Sequence, residues 1–167
     1  MTDGRAGDRA SMGGSLYLED LHVGQRFMSA THVVTTDEIK AFARQFDPQP
    51  FHLDEGAAAR SLLGGLAASG WHTAALTRRL LVGGGAPIAG GVIGAGVEVA
   101  WPRPTRPGDE LHVASEVMEV TPSRSKPDRG IVVLRSETRN QRGEAVQVLT
   151  SRLVVPRKPP AAASASS

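Results

Sequence analysis

The hydrophobic period of this chain changes abruptly at Gly83-Gly84-Gly85, and that change limits the fold more than any other feature of the sequence. Three adjacent glycines tolerate left-handed backbone conformations, and Pro87 cannot extend a helical ladder, so a helix entering this stretch has to stop. Upstream, from Ser69 or Gly70 to position 82, the residues are dominated by Ala, Leu, Trp and Thr. They predict a central helix buried over most of its circumference. Downstream, residues 92–99, 110–120, 131–139 and 146–155 are rich in Val, Ile, Leu and Thr. Pro-Gly-Asp, Pro-Ser-Arg-Ser-Lys-Pro-Asp and Asn-Gln-Arg-Gly separate them, which predicts consecutive antiparallel strands.

Ahead of the central helix, Val23-Gly24-Gln25 reads as a turn into a strand over residues 26–34, with Phe27, Ala30, Val33 and Val34 as an irregular apolar face. A helix follows. Thr36 is its expected N-cap, Asp37 and Glu38 suit the positive end of the helix dipole, and Ile39, Phe42, Ala43 and Phe46 recur at helical spacing until Pro48. Residues 55–62 predict a second, shorter helix ending before Gly64-Gly65. One strand, then helices, then four strands argues for an α+β fold, a curled antiparallel sheet wrapped around a long central helix. Such a sheet leaves an edge strand and such a helix an uncovered side, so a homodimer is expected.

With 167 residues and 40% hydrophobic content, the chain can bury one sizeable core but does not favour two. The single domain is expected over residues 16–155. Residues 1–15, rich in Gly, Asp and Arg without the apolar run of a secretory signal, and residues 156–167, Pro-Pro followed by Ala and Ser, are expected to be disordered. A net charge of +2 without a dense basic stretch argues against nucleic acid as a partner. The absence of cysteine excludes disulfides, thiolate catalysis and cysteine-held zinc, and fits a reducing cytoplasm. No run of about 18 apolar residues occurs, so no membrane association is expected.

Chemistry concentrates in Asp47-Pro48-Gln49-Pro50-Phe51-His52. Two prolines restrict the backbone between a carboxylate and an imidazole, lowering the entropy cost of presenting both side chains together. Their unperturbed pKa values, about 3.9 and about 6.5, suit one as base and the other as acid near neutrality. On spacing alone the motif also fits a helix-ending turn beside an ordinary histidine. His22, His32 and His112 are scattered without metal-ligand spacing, so no metal is expected. Gly83 to Gly85 and the glycines at 90–96 lack a following Gly-Lys-Ser/Thr and read as turn and packing residues.

The run Phe46-Asp47-Pro48-Gln49-Pro50-Phe51-His52-Leu53-Asp54, followed by Gly64-Gly65-Leu66-Ala67-Ala68-Ser69-Gly70-Trp71-His72, resembles the MaoC-like dehydratase family, which includes the (R)-specific enoyl-CoA hydratases. Trp101-Pro102-Arg103-Pro104 and Pro107-Gly108-Asp109-Glu110-Leu111 continue the likeness, which covers about residues 16–155. Two positions depart from the family pattern: Gln49 stands where Asn is usual, and Ser69 replaces the His before the helix-initial Gly70. The resemblance implies a hot-dog fold and a hydro-lyase acting on acyl-CoA thioesters in fatty acid metabolism. It implies Asp47 and His52 as the catalytic pair activating a water, and the N–H of Gly70 as receiver of the thioester carbonyl oxygen. Ser69, Gln49 and His72 are the accompanying substrate-binding candidates. No cofactor is implied beyond the coenzyme A of the substrate.

Two other readings stay open: a non-catalytic acyl-CoA-binding module or subunit of a larger complex, and a thioesterase. The last is disfavoured because thioesterases of this fold usually carry their carboxylate on the central helix, and residues 70–82 contain no Asp or Glu. Arg78, Arg79, Arg103 and Arg106 read as solvated side chains, with contact to coenzyme A phosphates as the alternative.

Overall fold

A computed structural model describes residues 15–161. Residues 1–14 and 162–167, and with them most of the two segments expected to be disordered, lie outside the described residues.

The strand expected over 26–34 is broken into β1 (Arg26–Met28) and β2 (His32–Val33). Both lie against the same long strand, β4 (Glu110–Pro122). The break falls at Ser29, whose N–H donates to Val113 O while its hydroxyl accepts from Val113 N, so the chain turns without orphaning those groups. The first helix, α1 (Thr36–Phe46), starts one residue earlier than expected: the N-cap is Thr35, whose hydroxyl accepts from Glu38 N at 3.2 Å. Pro48 ends α1 by disfavouring helical torsions at Asp47, which sits at φ −152°, ψ 68°.

The loop between the helices is more regular than the sequence suggested. Pro50, with its φ preset for a first helical turn, opens a one-turn helix, α2 (Pro50–Leu53), that carries His52. Asp54 then caps α3 (Glu55–Ala59) by accepting from Ala57 N at 2.7 Å. Lys40 reaches Glu55 at 2.8 Å and ties α1 to α3.

Ser69 caps the central helix, α4 (Gly70–Leu80), which continues through a π turn, Leu81–Gly85. The triple glycine is therefore partly inside the helix end, where Gly84 takes φ 133°. Four strands follow: β3 (Ile93–Ala100), β4, β5 (Arg129–Arg139) and β6 (Ala145–Pro156). The sheet order is β1-β4-β5-β6-β3 with β2 beside β4, and every pairing is antiparallel. This open, curled sheet around one helix is the hot-dog arrangement.

Alternation along β4 and β5 sends Leu111, Val113, Val117, Val132 and Leu134 to the inner face. With Leu18, Leu21, Leu81, Leu153 and Val155 most of these form the larger apolar cluster, under the C-terminal end of α4. A smaller cluster of Val34, Ile39, Ala58, Leu66, Leu76, Leu111 and Val146 joins α1 and α3 to the helix. One expectation about α4 needs correction. His72, Thr73, Leu76 and Thr77 are buried, but Trp71, Ala75, Arg78 and Arg79 are exposed, so a single chain covers one stripe and not most of the circumference.

The segment expected to be disordered from residue 156 is held at its start. Pro156 closes β6, and the next two residues are held: Arg157 Nε donates to Glu19 at 2.9 Å and Lys158 Nζ meets Asp20 at 2.6 Å. No helix among the described residues is long and apolar enough to cross a membrane.

Candidate active site

Asp47 hangs from the C-terminal end of α1 and His52 projects from α2, and the prolines between them set the angle of the bend. Asp47 Oδ2 lies 3.3 Å from His52 Nε2. The other imidazole nitrogen is committed: Nδ1 lies 2.6 Å from the carbonyl oxygen of Ala67, where only an N–H can satisfy the contact. This fixes the ring so that Nε2 faces the carboxylate. Neutral His52 then presents a lone pair to Asp47, and a water donating one O–H to each group satisfies both. Protonated His52 instead donates directly. The imidazole is buried, with 7% of its side chain exposed, whereas Asp47 retains 19%.

Three groups shape the carboxylate. Burial alone would raise its pKa, but the Ser69 hydroxyl, the Gln49 amide and the His52 ring together outweigh burial and hold it below the usual aspartate value. Gln49 Nε2 donates to Asp47 Oδ1 at 2.7 Å from an exposed position, so the extra methylene relative to Asn does not prevent a contact. Ser69 is fully buried and its hydroxyl accepts from Trp71 N at 3.2 Å, capping α4. One small side chain thus caps the helix and supports the carboxylate.

A cavity of about 310 Å³ opens beside His52, lined by Phe51, Ala67, Gly70, Thr73, Trp101 and Thr105 among others. Its wall includes Gly70 at the N-terminus of α4, whose N–H has no acceptor among the described residues. Glycine is required at position 70 by packing. A β-carbon there would lie 2.7–2.9 Å from ring atoms of Trp101. The indole is itself anchored: Nε1 donates to Gln147 Oε1, Gln147 Nε2 donates to Thr77 Oγ1, both at 2.9 Å, and Thr77 meets Thr138 at 2.5 Å.

The structure gathers Asp47, His52, Gln49, Ser69 and Gly70 at one end of α4. His72 points elsewhere. Its ring stacks on Phe42 at 4.8 Å and 9°, it does not line the cavity, and its buried Nδ1 has no partner. Burial holds its pKa below the ordinary 6.5, against the pull of Glu38 and with the help of His32. Arg103 lines the cavity mouth and pairs with Glu144 at 3.5 Å. Arg106 is half-buried and makes three hydrogen bonds to backbone carbonyls, so the reading of it as a solvated side chain is corrected. Ala67 was missed by sequence reasoning, because a carbonyl that accepts from a side chain leaves no trace in residue type.

Residues 21–139 match the family model described as the MaoC like domain. A MaoC-like dehydratase from Rhodospirillum rubrum, solved by crystallography, is similar at 64% identity and TM-score 0.86, over 87% of this chain and 100% of that one. The R-hydratase PhaJ1 from Pseudomonas aeruginosa is similar at 27% identity and TM-score 0.69, over 86% of this chain and 88% of that one. The 3-hydroxybutyryl-CoA dehydratase of Methylorubrum extorquens is 32% identical over 112 residues, 66% of this chain and 69% of that protein.

Proposed function

The chain belongs to the MaoC-like domain family, and from that premise we propose that it is a hydro-lyase adding or removing water across the 2,3 double bond of an acyl-CoA thioester. The observation that carries this reading is the 3.3 Å contact between Asp47 and an imidazole whose far nitrogen is already taken, beside a cavity that the uncapped Gly70 end of α4 helps to line.

In the hydration direction the water oxygen bonds to C3 as Asp47 takes one of its protons. The electron pair of the double bond moves toward the thioester, and the carbonyl oxygen gathers negative charge against the N–H of Gly70. Protonated His52 delivers its Nε2 proton to C2, and the proton on Asp47 returns to His52 across the contact between them. One water is consumed, and both side chains regain their starting states. Dehydration is the reverse. The lowered pKa of Asp47 keeps it ionised for this role down to acidic pH. No cofactor is needed beyond the coenzyme A that the substrate carries.

The same reading includes a homodimer. Among the described residues edge strand β3 pairs with β6 alone, and its Ile93 and Val97 are 55% and 61% exposed, an apolar edge that a second copy would cover.

The test is spectrophotometric hydration of a panel of trans-2-enoyl-CoA thioesters by wild type, Asp47→Asn and His52→Ala. Each substitution is expected to lower kcat/KM by about 10²- to 10⁴-fold while circular dichroism stays native. A folded wild type that binds the thioesters without turning over any of them would replace the hydro-lyase with a binding module.

A further inference from the structure

The loop over residues 63–68 belongs to no helix or strand, yet its Ala67 carbonyl orients the proposed acid. Such a loop would ordinarily leave its carbonyls to solvent and its position loosely set. Here one guanidinium gathers them. Arg106 Nη2 donates to Leu63 O at 2.5 Å, and Nη1 donates to Gly65 O at 2.7 Å and to Leu66 O at 3.2 Å. No carboxylate pairs with Arg106 among the described residues, so this cation is spent on neutral carbonyls.

The arginine is itself held firmly. Its N–H donates to the buried Asp109 carboxylate at 2.8 Å, and Asp109 N returns to Arg106 O at 3.1 Å. Gly108, at φ 85°, closes this turn and donates to Val34 O at 2.7 Å, while Thr105 O accepts from Ala68 N at 2.9 Å. A continuous path therefore runs from the head of β4 through Arg106 and the loop carbonyls to Ala67, and from there to Nδ1 of His52.

We propose that Arg106 is a positioning residue of the acid-base pair: by clamping the 63–66 carbonyls it holds Ala67 O where it fixes the Nδ1–H form of His52 and aims Nε2 at Asp47. This rests on the hydro-lyase reading for its kinetic consequence, but not for its structural one. A planar guanidinium spans three carbonyls in a fixed fork, whereas an ammonium is a point donor on a flexible stem, so lysine restores the charge and only part of the geometry. Loss of the clamp lets the imidazole rotate or change tautomer, and a displacement of about 1 Å in a catalytic group costs on the order of 10²-fold in rate.

The experiment uses the full chain, with ¹⁵N imidazole spectra of His52 and kinetics on an enoyl-CoA substrate for wild type, Arg106→Met, Arg106→Lys and Gly65→Ala. The last is the milder perturbation, since its added β-carbon would lie 3.3 Å from Arg106 Nη1. Arg106→Met is expected to lose the Nδ1–H signature of His52, lower kcat by about 10²-fold with KM nearly unchanged, and shift the pH profile. Arg106→Lys is expected to fall between it and wild type. If Arg106→Met does not fold, the other two variants carry the test. Unchanged His52 spectra and pH profiles in the folded variants overturn the proposal. A wild type that hydrates nothing while its His52 tautomer still responds to Arg106 instead sinks the hydro-lyase reading and leaves the clamp standing.

Discussion

The two ends of the central helix are built in opposite ways. Around its C-terminal end the neighbours are mostly carbon: Leu18, Leu21, Leu81, Val113, Val132, Leu134 and Leu153 meet, with the buried Ser115–Ser136 pair bonded to itself on the same face of the sheet. Around its N-terminal end the contacts are directional. Ser69 caps the helix, Thr73 meets Thr105 at 2.9 Å, Gln147 holds the Trp101 indole, and a carbonyl orients His52. Apolar burial is nearly indifferent to angle and rewards area, so the first end supplies stability and tolerates small shifts. Hydrogen bonds in a buried setting lose their value when partners move, so the second end supplies position and tolerates little.

That contrast can be broken from either side. The largest expected effect is Leu134→Ala, which opens a hole in the carbon end and should cost about 2–5 kcal/mol in urea unfolding. Per folded molecule, hydration activity should stay near wild type. An equal loss of activity would mean that the two ends are mechanically one. Gly70→Ala comes next. Its methyl must push the anchored Trp101 ring off the helix start, and kcat/KM should fall about 10²-fold, near 2.7 kcal/mol of barrier, with a smaller change in stability. Wild-type kinetics in that variant would deny the position-sensitivity claimed for this end.

The smallest effect concerns His72, whose Nδ1 is the one buried side-chain polar atom without a partner among the described residues. Because burial lowers its folded pKa, the unfolded chain binds the extra proton first. Its contribution is therefore intact above about pH 6.5, the unfolded value, and is lost as pH falls from there toward the folded value. His72→Phe, which keeps the stack on Phe42, should flatten that part of the melting-temperature profile between neutral and mildly acidic pH. A profile unchanged by the substitution would assign the acid sensitivity to other groups.

What could be read in advance follows from the range of each signal. Short-range patterns placed α1, the helix ending at the glycines and all four long strands to within a few residues. The Asp47-Pro-Gln-Pro-Phe-His52 spacing likewise drew attention to two side chains that the fold brings together. The misses are long-range or single-chain effects. The break between β1 and β2 depends on Ser29 meeting Val113, far along the chain. The exposed flank of α4 depends on what a lone chain can cover. Arg106 looked like any turn arginine, since its three partners are carbonyls more than thirty-nine positions away and carry no residue identity.

The salt links of Arg157 and Lys158 to Glu19 and Asp20 bring the two extremities of the described fold into register with one another. The path of the backbone is thereby nearly a closed ring, with its seam beside the carbon end and none of the seam residues on the wall of the His52 cavity. Circular permutants that join the ends there leave the contacts around His52 and Asp47 in place. Both ends of the described residues therefore lie at one shared corner, away from the cavity beside His52.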